Sequence, residues 1–186
     1  MKKPGVKERI IDTASRLFYY EGFNQTGINR IIEEAGVAKA SMYQHFRSKE
    51  DIAVAYLERR HQEGFVKMAE YVADKPNYKE KALAAFDYLY DWLSSVNFRG
   101  CVFQNIITDL PKDHIKIRDK VRNQKDERRN WIQNLIKSGG EHTTEEAEKL
   151  GDEIMVLMEG AIIMTQIQQD CWPIKTAKET CRKLLG

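Results

Sequence analysis

Between Lys39 and His45 the chain reads Lys-Ala-Ser-Met-Tyr-Gln-His, and the residue types divide by side. At helical spacing Met42 and Phe46 fall inward, while Ala40, Ser41, Tyr43, Gln44 and His45 turn away from them. The outward side is too polar for a core and too poor in charge for an ordinary solvated surface. Its chemistry suits duplex DNA. Small Ala40 and Ser41 let a helix backbone approach base edges in the major groove, and Gln44 carries the donor and acceptor that pair bidentately with adenine. Tyr43 and His45 are expected to donate to phosphate oxygens, with Lys39 adding charge. Lys49 opens the next helix, where unpaired N–H groups and the helix dipole also favour a phosphate.

Those side chains need helices to hold them. Apolar residues recur at helical spacing nearly everywhere and no segment alternates over the length of a strand, which predicts an all-α chain of about nine helices. The first carries Val6, Ile10, Ala14, Leu17 and Phe18 on one side and stops at Gly22. Thr26 is the expected N-cap of the second, whose stripe is Ile28, Ile31, Ile32 and Ala35, and Gly36 ends it. Ser48 with Asp51 resembles a capping box opening the fourth. A helix near residues 79–96 is expected to turn Leu83, Phe86, Tyr90 and Leu93 inward, and Thr143 with Glu146 makes a second capping box. The stripe that follows, Leu150, Ile154, Leu157, Met158, Ala161, Ile162 and Thr165, is either an interface or an internal core, since periodicity does not distinguish the two.

The chain has 186 residues, 42% hydrophobic and 31% charged, the composition of a folded protein. Residues 1–50 hold nine Lys or Arg against six Asp or Glu, and the remainder 21 against 22, so the basic excess sits where an anionic polymer would dock. Three cysteines without CxxC spacing and no signal-peptide pattern predict a reducing cytoplasm. No apolar run approaches a membrane span. The four histidines lie far apart and HExxH, P-loop and GxGxxG patterns are missing, so neither catalysis nor a metal or other cofactor is expected.

Residues 9–52 resemble the DNA-binding domain of the TetR family of bacterial transcriptional repressors. The resemblance rests on Ala14-x-x-Leu17-Phe18, Gly22-Phe23, Ile31 with Ala35-Gly36-Val37, Met42-Tyr43-x-His45-Phe46 and Ser48-Lys49-Glu50. It implies a helix-turn-helix domain in residues 1–48 and a helical effector-binding and dimerisation domain in 49–186. The implied function is a dimeric repressor that binds a near-palindromic operator and is released by a small effector. By position in the motif, Thr26, Asn29, Lys39, Ala40, Ser41, Tyr43, Gln44, His45 and Lys49 inherit DNA contacts, Ala40 standing where the family often has glycine or proline.

In the C-terminal part, Arg99-Gly100-Cys101 with Asn105 resembles a subgroup of TetR regulators. The last two long helices correspond to the family's four-helix dimer bundle, which assigns Leu150, Ile154, Leu157, Met158, Ala161, Ile162, Ala177, Cys181 and Leu184 to the interface. Trp92, Phe103, Gln104 and Trp131 are the expected pocket residues. Cys101, opening a helix beside Arg99, stands where thiols become reactive, which leaves a redox- or electrophile-sensing repressor as an alternative. A helical adaptor or an enzyme without DNA binding is the alternative of another class.

Overall fold

The computed structural model describes residues 4–111 and 113–186, and among these the chain forms nine helices and no strand. They are α1 (Val6–Glu21), α2 (Ile28–Glu34), α3 (Lys39–His45), α4 (Lys49–Ala73), α5 (Tyr78–Ser95), α6 (Val102–Asp109), α7 (Ile115–Lys137), α8 (Thr144–Gln168) and α9 (Trp172–Leu185). The chain divides into two compact units. The first takes in the chain up to Gln62 and the segment Val102–Asn123; the second holds Glu63–Cys101 and Gln124–Gly186. Helices α4 and α7 thus each contribute to both, and the first unit is larger than residues 1–48.

In the first unit α1, α2 and α3 pack on one another around Ile10, Ala14, Leu17, Phe18, Ile31, Met42 and Phe46, all buried. Phe18 touches Phe23 and Tyr56, ring centroids 5.4 and 5.9 Å apart. Helix α2 ends in a Schellman motif: Gly36, at φ +60°, donates to Glu33 O, and Val37 donates to Ile32 O. Arg9 reaches from α1 to close the same end, its Nη1 donating to Ala35 O at 3.1 Å and Gly36 O at 2.9 Å. Thr26 does not cap α2, as the sequence led us to expect. Gly27 holds that position, and the Thr26 side chain is fully buried with Oγ1 donating to Gly22 O at 2.8 Å.

In the second unit α9 packs on α5 and α8. Its core includes Phe86, Leu89 and Leu93 of α5, Ile132 and Ile136 of α7, and Ile174 and Leu185 of α9. Both expected features of the α8 start are present: Thr143 accepts from Glu146 N while Glu146 accepts from Thr143 N. Tyr90 is not inward. It is 36% exposed with the Lys175 ammonium 5.3 Å over its ring, and Leu89 fills the interior instead; residues 86, 89 and 93 satisfy helical spacing as well as 86, 90 and 93.

The stripe expected to pair two subunits is interior to this unit. Leu150, Ile154, Met158, Ala161 and Ile162 of α8, with Ala177 and Cys181 of α9, are buried within a single chain, because α8 and α9 pack their stripes on each other and on α5. Leu157 is half-buried, and Leu184 is exposed. A second apolar face of α8 and the start of α9 lies on the surface instead: Val156 is 72%, Ile167 63% and Trp172 48% exposed, joined by Ile163 and Met164.

Helix α8 meets α7 at a glycine. A Cβ added to Gly151 would stand 2.6 Å from Gln133 Cγ and 3.0 and 3.1 Å from its Cα and N. Side chains yield; the backbone of α7 does not. Glycine to alanine inside a helix ordinarily gains about 1 kcal/mol, yet Gly151→Ala is expected to lose about 1 to 3 kcal/mol by overpacking. Urea unfolding of the two proteins reads the sign.

Candidate nucleic-acid interface

A four-residue connection, Ala35-Gly36-Val37-Ala38, turns the chain from α2 into α3. Seven residues long, α3 buries Met42 completely, and Phe46 just past its end is 5% exposed. These two anchors set the rotation of the helix. Lys39, Ala40, Tyr43, Gln44 and His45 are consequently exposed and Ser41 is half-buried, which is the division the residue types implied. Asn29, in the first turn of α2, is also exposed.

Two assigned residues lie elsewhere. Thr26 has no surface to offer a phosphate, since its hydroxyl is engaged inside the unit. Lys49 is half-buried: its Nζ donates to Phe23 O at 2.9 Å and lies 4.2 Å from the Phe23 ring centroid. Burial pushes this ammonium below the ordinary lysine range, and the Asp109 carboxylate opposes the shift. Lys49 therefore acts in this state as a tie between the start of α4 and the α1–α2 turn. Asn24 extends the tie, its backbone N–H and its side-chain Nδ2 each donating to the Asp109 carboxylate at 3.0 Å.

The first turn of α4 is fixed by Ser48, whose Oγ accepts from Asp51 N at 3.1 Å, and by Lys116 on α7, which donates to Asp51 Oδ1 at 2.7 Å. Lys116 is the largest cause that holds the Asp51 carboxyl below its ordinary range. Sequence reasoning passed over Arg47, an exposed cation two residues beyond α3. Its signal was its place inside the Phe46-Arg47-Ser48-Lys49 run, where a charge beside a reading helix suits a phosphate.

The remaining assigned residues fall in different settings. Phe103 and Gln104 belong to the first unit, buried and half-buried; Trp92 and Trp131, both half-buried, belong to the second, where Trp131 meets Phe65 edge-on at 6.4 Å. Cys101 is buried with Lys125 Nζ 3.8 Å from its Sγ. Burial pushes the Cys181 thiol up to about 12. Among the described residues no helix is long and apolar enough to cross a membrane.

The chain is similar to known proteins. Residues 10–56 match the family model described as bacterial regulatory proteins of the tetR family, and residues 79–180 match the LmrA/YxaF-like transcriptional regulator C-terminal domain. Among curated relatives, the HTH-type transcriptional regulator YxaF of Bacillus subtilis is 45% identical over 49 residues, covering 26% of this chain and 26% of the relative. The fatty acid metabolism regulator protein of Bacillus subtilis is 26% identical over 113 residues, covering 61% and 57%. The transcriptional repressor NemR of Escherichia coli is 29% identical over 119 residues, covering 61% and 60%. In each, the match spans under two thirds of the relative's own length.

The reduced form of Escherichia coli NemR superposes with a TM-score of 0.83 at 22% identity over 97% of each chain. A TetR-family regulator from Cytophaga hutchinsonii gives 0.84 at 20% identity, over 99% of this chain and 96% of that one. The matching models and relatives are regulators of transcription rather than enzymes. With a family model spanning more than half of its length and a helix-turn-helix unit at its start, the chain belongs to the TetR family of bacterial transcriptional regulators.

Proposed function

We propose that this regulator is a sequence-specific repressor that binds a near-palindromic operator as a homodimer and leaves it when a small effector binds. Residues 1–48 read DNA, and residues 49–186 bind the effector and the second subunit. One observation carries the reading: α3 buries Met42 and Phe46 and leaves Ala40, Tyr43, Gln44 and His45 facing solvent. Gln44 specifies, while Tyr43, His45, Lys39, Asn29 and Arg47 position the helix on the backbone.

The second subunit covers the exposed apolar face of α8 and α9. That face holds a groove of about 260 Å³ lined by Val156, Gly160, Met164, Trp172 and Thr176 among others. Left open, so much adjoining apolar surface is a liability in a soluble chain, and a second copy meets it with the same surface. An effector acts by preferring one of two dimer states, a coupling of about 1 to 3 kcal/mol. Helix α4 is the lever: it begins in the first unit and ends in the second.

Gln44→Ala tests the reader. Gln44 is exposed, so unfolding should be unchanged, while discrimination at one position of each half-site falls by about 1 to 3 kcal/mol. Gel-shift titrations against single-base operator variants measure it, and an equal loss on every duplex removes Gln44 from the reading role.

A redox- or electrophile-responsive repressor is the second reading, favoured by the Lys125 ammonium 3.8 Å from Cys101 Sγ. Mild peroxide then releases operator from the wild type and not from Cys101→Ser. Release from both leaves Cys101 a buried packing residue.

A further inference from the structure

An arginine out of water is costly unless its guanidinium is matched by hydrogen-bonding acceptors. Arg128, on α7, is 9% exposed, and its Nε has no hydrogen-bond partner. The carboxylate facing it, Glu159 of α8, stands 4.0 Å from Nη1, beyond hydrogen-bond reach. Glu159 is engaged elsewhere, its Oε2 accepting from Lys125 Nζ at 2.6 Å. Lys125 and Arg128, three residues apart on α7, thus both approach Glu159, and only Lys125 hydrogen-bonds it.

A second acceptor is left open beside this arginine. Gln124, four residues before Arg128 and on the same side of α7, is 3% exposed, and its Oε1 has no hydrogen-bond partner. Three residues after Arg128, and so on the same side of α7, comes Trp131, half-buried and edge-on to Phe65. A buried cation with an open Nε donor, one helical turn from a buried open acceptor, suits a polar group that arrives from outside.

We propose that the effector is a small molecule bearing a carboxylate on an apolar or aromatic body. Its carboxylate takes the guanidinium fork of Arg128, a hydrogen on the ligand is donated to Gln124 Oε1, and Trp131 lies against the apolar part. The planar fork matches a carboxylate with two parallel hydrogen bonds. A monoanion fits better than a phosphate dianion, because Glu159 stands close enough to repel a second negative charge. This assignment rests on the ligand-released repressor reading.

The full-length dimer is tested by thermal unfolding with 6-hydroxy-2-naphthoate, whose hydroxyl supplies the hydrogen for Gln124 Oε1, with the uncharged 6-hydroxy-2-naphthamide and with inorganic phosphate, and by operator binding without additive. Naphthoate at tenfold excess over its Kd should raise the wild-type midpoint by about 3 °C, and naphthamide and phosphate should not. Arg128→Met should erase that shift, Arg128→Lys should weaken it, and unliganded Arg128→Met should melt at or above the wild type, because Glu159 keeps its hydrogen bond from Lys125 and a buried guanidinium without a hydrogen-bonded carboxylate is gone. The assignment is overturned by an equal shift with naphthamide, by a naphthoate shift surviving in Arg128→Met, by no shift in the wild type, or by an Arg128→Met chain that melts far below it. In each of those cases intact operator binding leaves the repressor reading standing, whereas wild type that binds no operator removes the repressor reading itself.

Discussion

If the exposed face of α8 and α9 is the dimer interface, a chain carrying Val156→Glu and Ile167→Glu is expected to elute as a monomer and to bind operator about a hundredfold more weakly than the wild type, or worse. Both residues are among the most exposed hydrophobics of the fold, at 72% and 63%, so a single subunit does not need them for its own interior. Two carboxylates on each copy of a self-complementary face place like charges opposite one another and leave them without water. The DNA consequence follows from valency. A dimer holds its second reading helix at high effective concentration beside the second half-site, a gain of about 10² to 10⁴ that the monomer forfeits. Light scattering on the eluting peak and gel-shift titration check the two halves. Glutamate at Leu150 or Met158 acts differently, because these are buried within one chain: it unfolds the protein instead of dissociating it.

Ala40→Glu is expected to weaken DNA binding by about a hundredfold or more without loss of stability. Ala40 is exposed and is the second residue of α3, where a carboxylate interacts favourably with the helix dipole by about 0.3 to 1 kcal/mol. Folding is therefore unaffected or slightly improved. Against a duplex the same carboxylate meets phosphates and base acceptors, and juxtaposed like charges cost several kcal/mol, so affinity should fall by about a hundredfold or more on every sequence. Thermal unfolding and binding titration on one preparation separate the effects. A parallel loss of both would mean that Ala40 supports the fold, and unchanged binding would place it away from the duplex.

What the sequence disclosed, and what it withheld, divides by the range of the interaction. Helix ends were legible because their causes are local. Gly22 and Gly36 take positive φ at the ends of α1 and α2, and the Thr143–Glu146 box opens α8. The outward side of α3 was legible because two buried anchors four residues apart fix the rotation of so short a helix. Helix α8 was not, since it carries apolar residues on two sides. Leu150, Ile154, Met158 and Ile162 satisfy one stripe; Val156, Ile163 and Ile167 satisfy another. Spacing names the faces, and only packing by α5 and α9 says which is interior.

Single side chains with a choice of partner were misread for a related reason. Thr26 has the propensity of an N-cap, but the free energy went to burying its methyl and bonding Gly22 O. Lys49 sits where a phosphate contact is expected, and the Phe23 carbonyl, distant in sequence, took its ammonium. Arg128 drew no reading: it lies in a charged stretch, Lys125-Asp126-Glu127-Arg128-Arg129, where nothing local sets it apart. Its burial depends on what packs over it. Tertiary contacts decide such cases, and one chain read linearly does not contain them.

Selection of bound duplexes from a random pool by the full-length protein addresses the DNA-reading face, the dimer and their joint geometry together. The expected winner is a two-fold symmetric site whose half-sites recur about one helical turn apart or a multiple of it, with the preference at one position of each half-site lost in Gln44→Ala. Failure to enrich any sequence in dilute buffer, or enrichment that Ala40→Glu leaves unaltered, would contradict the assignment of α3 as the reading helix.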